Sequence, residues 1–313
     1  MAPSPRAAGL TPSQVSFFNK NGYLVISDYL TPTEVNSLLS ETNSLLDSFP
    51  LDTHPLTTFT TGHDDGDSKH VGDDYFLTSN DKIRFFFEPD AVESGTLLKP
   101  KQLAVNKIGH SLHTLSDPFR KVSLSDENAA IAQSLGFRDP RLLQSMVICK
   151  QPGIGGAVNP HRDSEFLYTS PPSAVGWWYA LQDAGVGNAT LGMWKGSHIS
   201  PAGGAIRRRL VRAHGGGTEF IVNEGPRYPR DDGGAEVEKP ESHADDDFEI
   251  LEVKAGSLVL IHGNVLHSSE KNTSPKSRYA YTFHVIEGDK EWEYDERNWL
   301  QPPKNGFSKL YKE

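Results

Sequence analysis

The amino-acid sequence predicts a mainly β protein, a double-sheet jelly roll with flanking helices, and two observations carry that expectation. From Leu142 onward the apolar residues come in short runs separated by Gly, Pro and Asn, the texture of an antiparallel barrel or sandwich. Ahead of them, residues 11 to 48 hold two helix-start signals on either side of a short apolar run. With 313 residues, 36% hydrophobic and 23% charged, the chain can bury a substantial core.

Thr11-Pro12 offers a cap and a first-turn proline ahead of Val15, Phe17 and Phe18. Thr31-Pro32-Thr33-Glu34 is a capping box before Val35, Leu38, Leu39, Leu45 and Leu46. Tyr23-Leu24-Val25-Ile26 between them reads as a buried strand. Residues 51 to 82, rich in Thr, Asp, Gly and His, suit a long irregular segment over a site. Ile83 to Phe87 returns to strand, Lys101 to Ile108 reads as extended, and Ser125 caps a helix reaching Leu135. The strands expected next are Ser145 to Lys150, Phe166 to Tyr168, Gly176 to Gln182, Leu191 to Trp194, Phe248 to Val253, Ser257 to His262 and Arg278 to Val285. Residues 207 to 247, with Gly215-Gly216-Gly217, Asp231-Asp232-Gly233-Gly234 and Asp245-Asp246-Asp247, read as a flexible loop insertion. The expected organisation is a flexible N-terminus over 1 to 10 and one domain over 11 to 313. The N-terminal helices, the 51 to 82 segment and the insertion are expected to wall the opening of the site.

Composition narrows the function. With 41 acidic against 31 basic residues the net charge is -10, which gives no electrostatic support to general binding of nucleic acid or an anionic membrane. The one cysteine, Cys149, excludes cysteine-based zinc sites and points to a reducing compartment. No apolar run reaches the roughly 18 to 20 residues of a membrane span, and the start lacks a signal peptide's apolar stretch, so a cytoplasmic protein is expected. Ser308-Lys309-Leu310 is followed by three residues, out of register for a peroxisomal signal. The cluster Arg207-Arg208-Arg209 with Arg212 could draw an anionic substrate, although such a run is more often a solvated helix face or loop. No partner protein is implied.

The chemistry gathers around His161-Arg162-Asp163. On an extended strand residues two apart point to the same side, so His161 and Asp163 can grip one ion. A third ligand is available 104 residues later at His267, with His262 as the competing position. Two histidines and a carboxylate on one face of iron(II) leave three positions open for an oxo-acid and O2 together. Arg278 follows His267 by 11 residues, and a turn through Asn272-Thr273-Ser274-Pro275 can fold the chain back. An arginine there suits the distal carboxylate of an oxo-dicarboxylate, which it can take in paired hydrogen bonds. His262 lacks that registration and reads better as a core histidine at a strand end. A lone His-x-Asp also has a plain reading, a surface strand with a salt-bridged Asp163.

Further motifs follow in order: Asn106-Lys107-Ile108-Gly109-His110, Gln144-Ser145-Met146, Gly155-Gly156, Pro160-His161-Arg162-Asp163, Phe166-Leu167-Tyr168-Thr169, Lys195-Gly196-Ser197-His198, Ile261-His262-Gly263, Tyr281-Thr282-Phe283-His284 and Asn298-Trp299-Leu300-Gln301-Pro302. With them the chain resembles, over nearly its whole length, the phytanoyl-CoA dioxygenase family of iron(II)- and 2-oxoglutarate-dependent oxygenases. The resemblance implies the double-stranded β-helix (jelly roll, cupin-like) oxygenase fold and Fe(2+) at His161, Asp163 and His267. It implies 2-oxoglutarate at Arg278, a second positive contact from Lys107, co-substrate pocket walls at Met146 and Trp178, and O2 as second co-substrate. Plainer duties compete: a solvated strand lysine at Lys107, core packing at Met146, and a buried aromatic face at Trp178.

Two departures from the family pattern stand out. Gly187-Asn188-Ala189-Thr190 and Gly192-Met193-Trp194 replace the usual residues before Gly-Ser-His, so the substrate side differs. Tyr279-Ala280 after Arg278 lacks the hydroxyl that often assists the arginine, a part left to Lys107 or a pocket hydroxyl. The function implied is hydroxylation of a small organic substrate with release of succinate and CO2. The alternatives are a catalytically silent module that binds metal and 2-oxoglutarate, and a cupin-like metal-dependent hydrolase or isomerase, which has no need of an oxo-acid clamp.

Overall fold

Two threonines start the N-terminal helices. In a computed structural model that describes residues 9–59, 72–199, 204–229 and 248–312, helix α1 (Pro12–Asn21) begins with a reciprocal capping box between Thr11 and Gln14. Helix α2 (Pro32–Ser48) begins with the same device between Thr31 and Glu34. Gly22, at φ 82°, ends α1 in the left-handed conformation that glycine adopts without strain. Strand β1 (Tyr23–Ile26) runs between the two helices.

Seven long strands form the larger sheet, all antiparallel. In chain order the others are β2 (Ile83–Phe87), β3 (Val105–His110), β4 (Pro140–Lys150), β6 (Val175–Ala180), β11 (Leu258–His262) and β13 (Arg278–Glu287), and the spatial order is β1-β11-β6-β13-β4-β3-β2. Ser308–Lys309 adds a short pairing to the start of β4. The smaller sheet has the order β10-β7-β12-β5, from β10 (Phe248–Leu251), β7 (Leu191–Trp194), β12 (His267–Ser269) and β5 (Val158–His161).

Side-chain alternation divides the larger sheet into two faces. Trp177, Tyr179, Leu258, Leu260, Tyr281 and Phe283 pack with Phe18, Leu38 and Phe119 in a core shared with the helices. Their neighbours Trp178, Ala180, Val259, Ile261 and Ala280 face Leu191, Met193 and Leu251 of the smaller sheet in a second core. Helix and sheet are also tied by hydrogen bonds: Asn128, in helix α4 (Asp126–Ser134), accepts from the hydroxyls of Tyr179 and Tyr29, both at 2.9 Å. Tyr281 pairs with Ser123 of α3 (Asp117–Ser123) at 2.5 Å.

Several expectations need correction. Phe166 to Tyr168 is not a strand: Asp163–Phe166 is a short helix, α5, because a three-residue apolar run fits either period and the Glu165 N–H closes a turn onto Arg162 O. Lys101–Leu103 is a 3-10 turn, and extended backbone starts only at Val105. The 207 to 247 segment is a loop only in part: β8 (Arg208–Arg212) and β9 (Thr218–Val222) form an antiparallel hairpin turning at the three glycines. The two acidic runs beyond it, and residues 1 to 8, lie outside the described residues. At residue 10 the Leu10 N–H is tied to Ser134 Oγ at 2.9 Å. The N-terminal helices cover the outer face of the larger sheet, so they do not wall the site. No helix among the described residues is long and apolar enough to cross a membrane.

A half-buried histidine, His262, and a buried one, His113, tie stability to pH. His262 lies beside Phe18 and His198, and its Nδ1 accepts from the Asn264 N–H at 3.0 Å. Burial, helped by His198, lowers it to about 3, and burial alone does the same to His113. From the ordinary 6.5 down to about 3, the unfolded chain therefore binds more protons, and stability falls as pH falls through that window. For His262→Leu, urea denaturation between pH 4 and 6.5 is expected to give a slope of unfolding free energy with pH shallower by up to about 1.4 kcal/mol per pH unit. An unchanged slope would show that His262 is protonated in the folded protein.

Candidate active site

Antiparallel pairing brings the first two site residues together. His161, the last residue of β5, lies directly opposite His267, the first residue of β12, with ring centroids 4.2 Å apart. Arg162 continues in extended conformation (φ -122°, ψ 130°), so Asp163 projects to the same side as His161 before α5 begins. His161, Asp163 and His267 offer three ligand atoms within 4.8 Å of one another. Asp163 Oδ1 is 3.6 Å from His161 Nε2 and 3.7 Å from His267 Nε2. Those gaps are too long for hydrogen bonds and leave the three donor atoms facing one space.

Backbone contacts select the tautomers. His161 Nδ1 bonds Asn159 O at 2.8 Å and His267 Nδ1 bonds Val265 O at 3.1 Å. A carbonyl can only accept, so each Nδ1 carries the proton and each Nε2 keeps its lone pair, the arrangement metal-ligating histidines use. Burial, with the charge of His161 beside it, lowers His267 to about 4, which keeps the imidazole neutral near pH 7. Burial works to raise Asp163, but His284, His267 and His161 together hold it well below the usual carboxylate range. The result is two imidazole nitrogens and one anionic oxygen facing one space, a set that fits a divalent cation.

His262 points elsewhere. It sits in the core with Nδ1 already bonded, outside the three-residue cluster.

The cluster opens into a cavity of about 350 Å³, lined also by Lys107, Met146, Trp178 and Arg278. Asn272 delivers the arginine: its Oδ1 accepts from the Ser274 N–H at 3.0 Å and its Nδ2 donates to Lys150 O and Lys276 O, folding the chain into β13. Arg278 is 1% exposed. One nitrogen donates to Ala189 O at 2.8 Å, while Nε and Nη1 have no partner. Burial lowers it only to about 10, so a guanidinium with unused donors is held in the cavity wall, 5.4 Å from the Trp178 ring centroid. Such a group requires an anion. Lys107 is also buried. Its Nζ lies 3.3 Å from the Phe59 ring centroid, and burial lowers it to about 7 against the pull of Asp163. Met146 and Trp178 face each other across Thr282 of the intervening strand.

Other cavity residues carry no sequence signal of their own. His284 Nε2 is 3.2 Å from Asp163 Oδ2. Glu88, fully buried, accepts from the Gly156 N–H at 3.0 Å, and burial raises it to about 7 against bonds from Asn106 and Gly156. Lys150 holds Gly156 O and Glu270 O, and burial together with Arg278 lowers it to about 7. The Gly155-Gly156 motif is the one hint of this pair, since the Gly156 backbone is gripped from both sides. Phe59 and Phe76 from the 51 to 82 segment also line the cavity, with Phe166, Leu167 and Trp299. No described residue of the 207 to 229 hairpin does so. Three of its arginines are engaged within the protein, Arg208 with Glu165, Arg209 with Asp295, and Arg212 with Trp299 O and Leu77 O, while Arg207 is exposed.

A family model described as phytanoyl-CoA dioxygenase (PhyH) matches residues 18–280. The chain is 41% identical over 298 residues to a phytanoyl-CoA dioxygenase of Arabidopsis thaliana, covering 94% of this chain and 95% of that protein. It is 40% identical over 311 residues to phytanoyl-CoA dioxygenase domain-containing protein 1 of Bos taurus, covering 97% and 99%. Among solved structures it is similar in fold to the non-heme alpha ketoglutarate dependent epimerase SnoN from nogalamycin biosynthesis, with a TM-score of 0.56, 14% identity and 96% of each chain covered. EctD from S. alaskensis with bound Fe gives a TM-score of 0.56 at 17% identity, over 96% of this chain and 84% of that one. The structural likenesses bear on fold alone; the sequence matches, running nearly end to end, show that the chain belongs to the phytanoyl-CoA dioxygenase family.

Proposed function

We infer that the protein is an iron(II)- and 2-oxoglutarate-dependent dioxygenase that hydroxylates a small organic substrate, with residues 11–313 acting as one catalytic domain. The observation that carries this reading is a single cavity holding both a tautomer-set two-histidine, one-carboxylate cluster and a buried arginine with unused donors. His161 Nε2, His267 Nε2 and Asp163 Oδ1 would hold the metal. Arg278 would take the distal carboxylate of 2-oxoglutarate, with Lys107 as a second cation and Met146 and Trp178 as walls. Thr282, Ser268 and Ser269, which also line the cavity, are the hydroxyls available where Tyr279-Ala280 supplies none. Bound iron(II) supplies the redox chemistry that couples O2 and 2-oxoglutarate to oxidation of a C–H bond. The balance is one substrate C–H, one 2-oxoglutarate and one O2 giving one C–OH, one succinate and one CO2.

The chain's own contribution is binding, orientation and exclusion of water. Arg278 and the metal cluster, lining the same cavity from different sheets, favour a ligand with an anionic group at each end. The apolar residues Ile148, Leu191 and Ile261 around it keep the local dielectric low, which strengthens both contacts. A hydrolase or isomerase using the metal as a Lewis acid has no use for a buried Arg278 with unused donors.

Three outcomes test this reading. With iron(II), 2-oxoglutarate and O2, the protein is expected to form succinate, faster when a metabolite extract supplies substrate; no succinate under any condition would sink the oxygenase assignment. Arg278→Leu is expected to raise KM for 2-oxoglutarate by about 30-fold or more, as loss of a buried charge-pair partner does, with Mn(II) affinity within about threefold of wild type. His267→Ala is expected to weaken Mn(II) binding by more than the roughly 100-fold limit for outer-sphere residues, and His262→Ala to leave it nearly unchanged. The reverse pattern would reassign the ligand.

Lys107 adds a pH dependence. Free, it loses its proton near 7, and a bound dianion favours its charged form, so 2-oxoglutarate affinity should be level below pH 7 and fall above it by up to about tenfold per pH unit. Anaerobic titration of Lys107→Met should lack that decline. A decline of equal steepness in the variant would assign the pH dependence to another group.

A further inference from the structure

We propose that His284 is a positioning residue that keeps Asp163 a one-oxygen ligand and so preserves an open place on the metal; this rests on the metal reading above. The two carboxylate oxygens keep different company. Oδ1 faces the nitrogens of His161 and His267 at 3.6 and 3.7 Å, whereas Oδ2 lies 3.2 Å from His284 Nε2.

The backbone at Asp163 is well fixed. Its carbonyl accepts from the Leu167 N–H at 2.9 Å, and the Ser164 N–H donates to Gly263 O at 2.9 Å. These contacts hold the Cα and leave the carboxylate plane free, because the terminal torsion of an aspartate is broad. Something else has to set that plane, and His284 Nε2, 3.2 Å from Oδ2, is placed to do so.

Three features separate this duty from ordinary packing. His284 is 8% exposed on β13, between Phe283 and Val285, which face the helical core. An apolar residue would fill its place without leaving a buried polar atom, yet Nδ1 of His284 has no partner, nor has Oε1 of Gln144, its register neighbour on β4. The ring is therefore not spent on another contact. Gly176, the register neighbour on β6, completes the arrangement: a Cβ there would stand 3.4 Å from Asp163 Oδ2 and 3.5 Å from His284 Nε2. A side chain extending further would press between the two, so glycine keeps their approach clear.

The consequence concerns the number of places left on the metal. Two imidazoles and one carboxylate oxygen fill three of six positions, a chelating oxo-acid fills two, and one remains for O2. If Asp163 turned to bind through both oxygens, no place would remain. An N–H held on Oδ2 prevents that turn.

The test uses the full chain, stripped of metal, with Mn(II) and Co(II) as redox-inert probes under anaerobic conditions. His284→Leu is expected to bind Mn(II) about 10- to 100-fold more weakly than wild type and to change the intensity of the Co(II) visible bands, which report coordination number. His284→Gln, whose amide N–H can replace the Nε2–H, is expected to restore most of the affinity and the wild-type spectrum. His284→Asn, with an amide too short to reach, is expected to behave like the leucine variant and serves in its place if that variant does not fold. Wild-type affinity and spectrum in His284→Leu or His284→Asn would overturn the proposal while leaving the metal site intact. Failure of wild type to bind Mn(II), or binding unaffected by His161→Ala, would overturn the metal reading and this proposal with it.

Discussion

The direct pairing of His161 with His267 across β5 and β12 is the constraint on which the rest of the site depends. Each ring is tied through Nδ1 to the carbonyl two residues before it, Asn159 O for one and Val265 O for the other. The backbone that forms the sheet thus also sets both tautomers and turns both lone pairs to one point. Two lone pairs and a buried carboxylate directed at the same space repel one another unless a cation lies between them. Preorganisation of this kind stores an unfavourable arrangement in the folded protein, and a cation relieves it. Helices, cores and loops serve largely to keep that pairing in register.

The larger sheet sets the second dimension of the site. Along β13 the even-numbered residues Arg278, Thr282 and His284 line the cavity, while Tyr281, Phe283 and Val285 join the helical core. Strand β4 repeats the division, with Gln144, Met146, Ile148 and Lys150 on the cavity side and Val147 and Cys149 in the core. One strand therefore carries both Arg278, the proposed anion partner, and the residue that touches Asp163, so the rise of β13 fixes the spacing between the two proposed subsites. A one-residue slip would send every polar group into the apolar core and every aromatic into the cavity, which makes the register expensive to lose.

This geometry explains what could be read in advance. The strands were legible because alternation and short apolar runs are local properties, and His161 and Asp163 could be paired because Arg162 is extended between them. His267 could be preferred to His262 because its distance from Arg278 leaves room for a turn, which the Asn272 side chain provides. His284 was not legible as a partner of Asp163. It sits in an apolar strand 121 residues from that carboxylate, and no spacing rule links the two; only the packing of the folded chain brings them together. Glu88 and Lys150 were hidden for the same reason, since each reads as a surface charge until the fold buries it. The arginine-rich segment misled in the opposite sense: its charges read as solvated, yet Arg209 is buried against Asp295 and lies over the Tyr168 ring.

The division of labour between sheet and loop also bears on how substrate is chosen. Every proposed metal and co-substrate group lies on a strand or within two residues of one. By contrast, Phe59, Phe166, Leu167 and Trp299 come from connections outside the two sheets, and Phe76 from a short helical turn. Phe76 and Trp299 stack at 4.3 Å with planes 20° apart, so this wall is flat, apolar and rigid. Polar atoms beside it come from His110, whose ring lies 5.6 Å from Phe76 and 5.4 Å from Trp299, and the cavity also holds Gln144, whose Oε1 is unpartnered. Changes in these connecting segments would reshape the cavity without disturbing the strands that carry the proposed cation and anion sites.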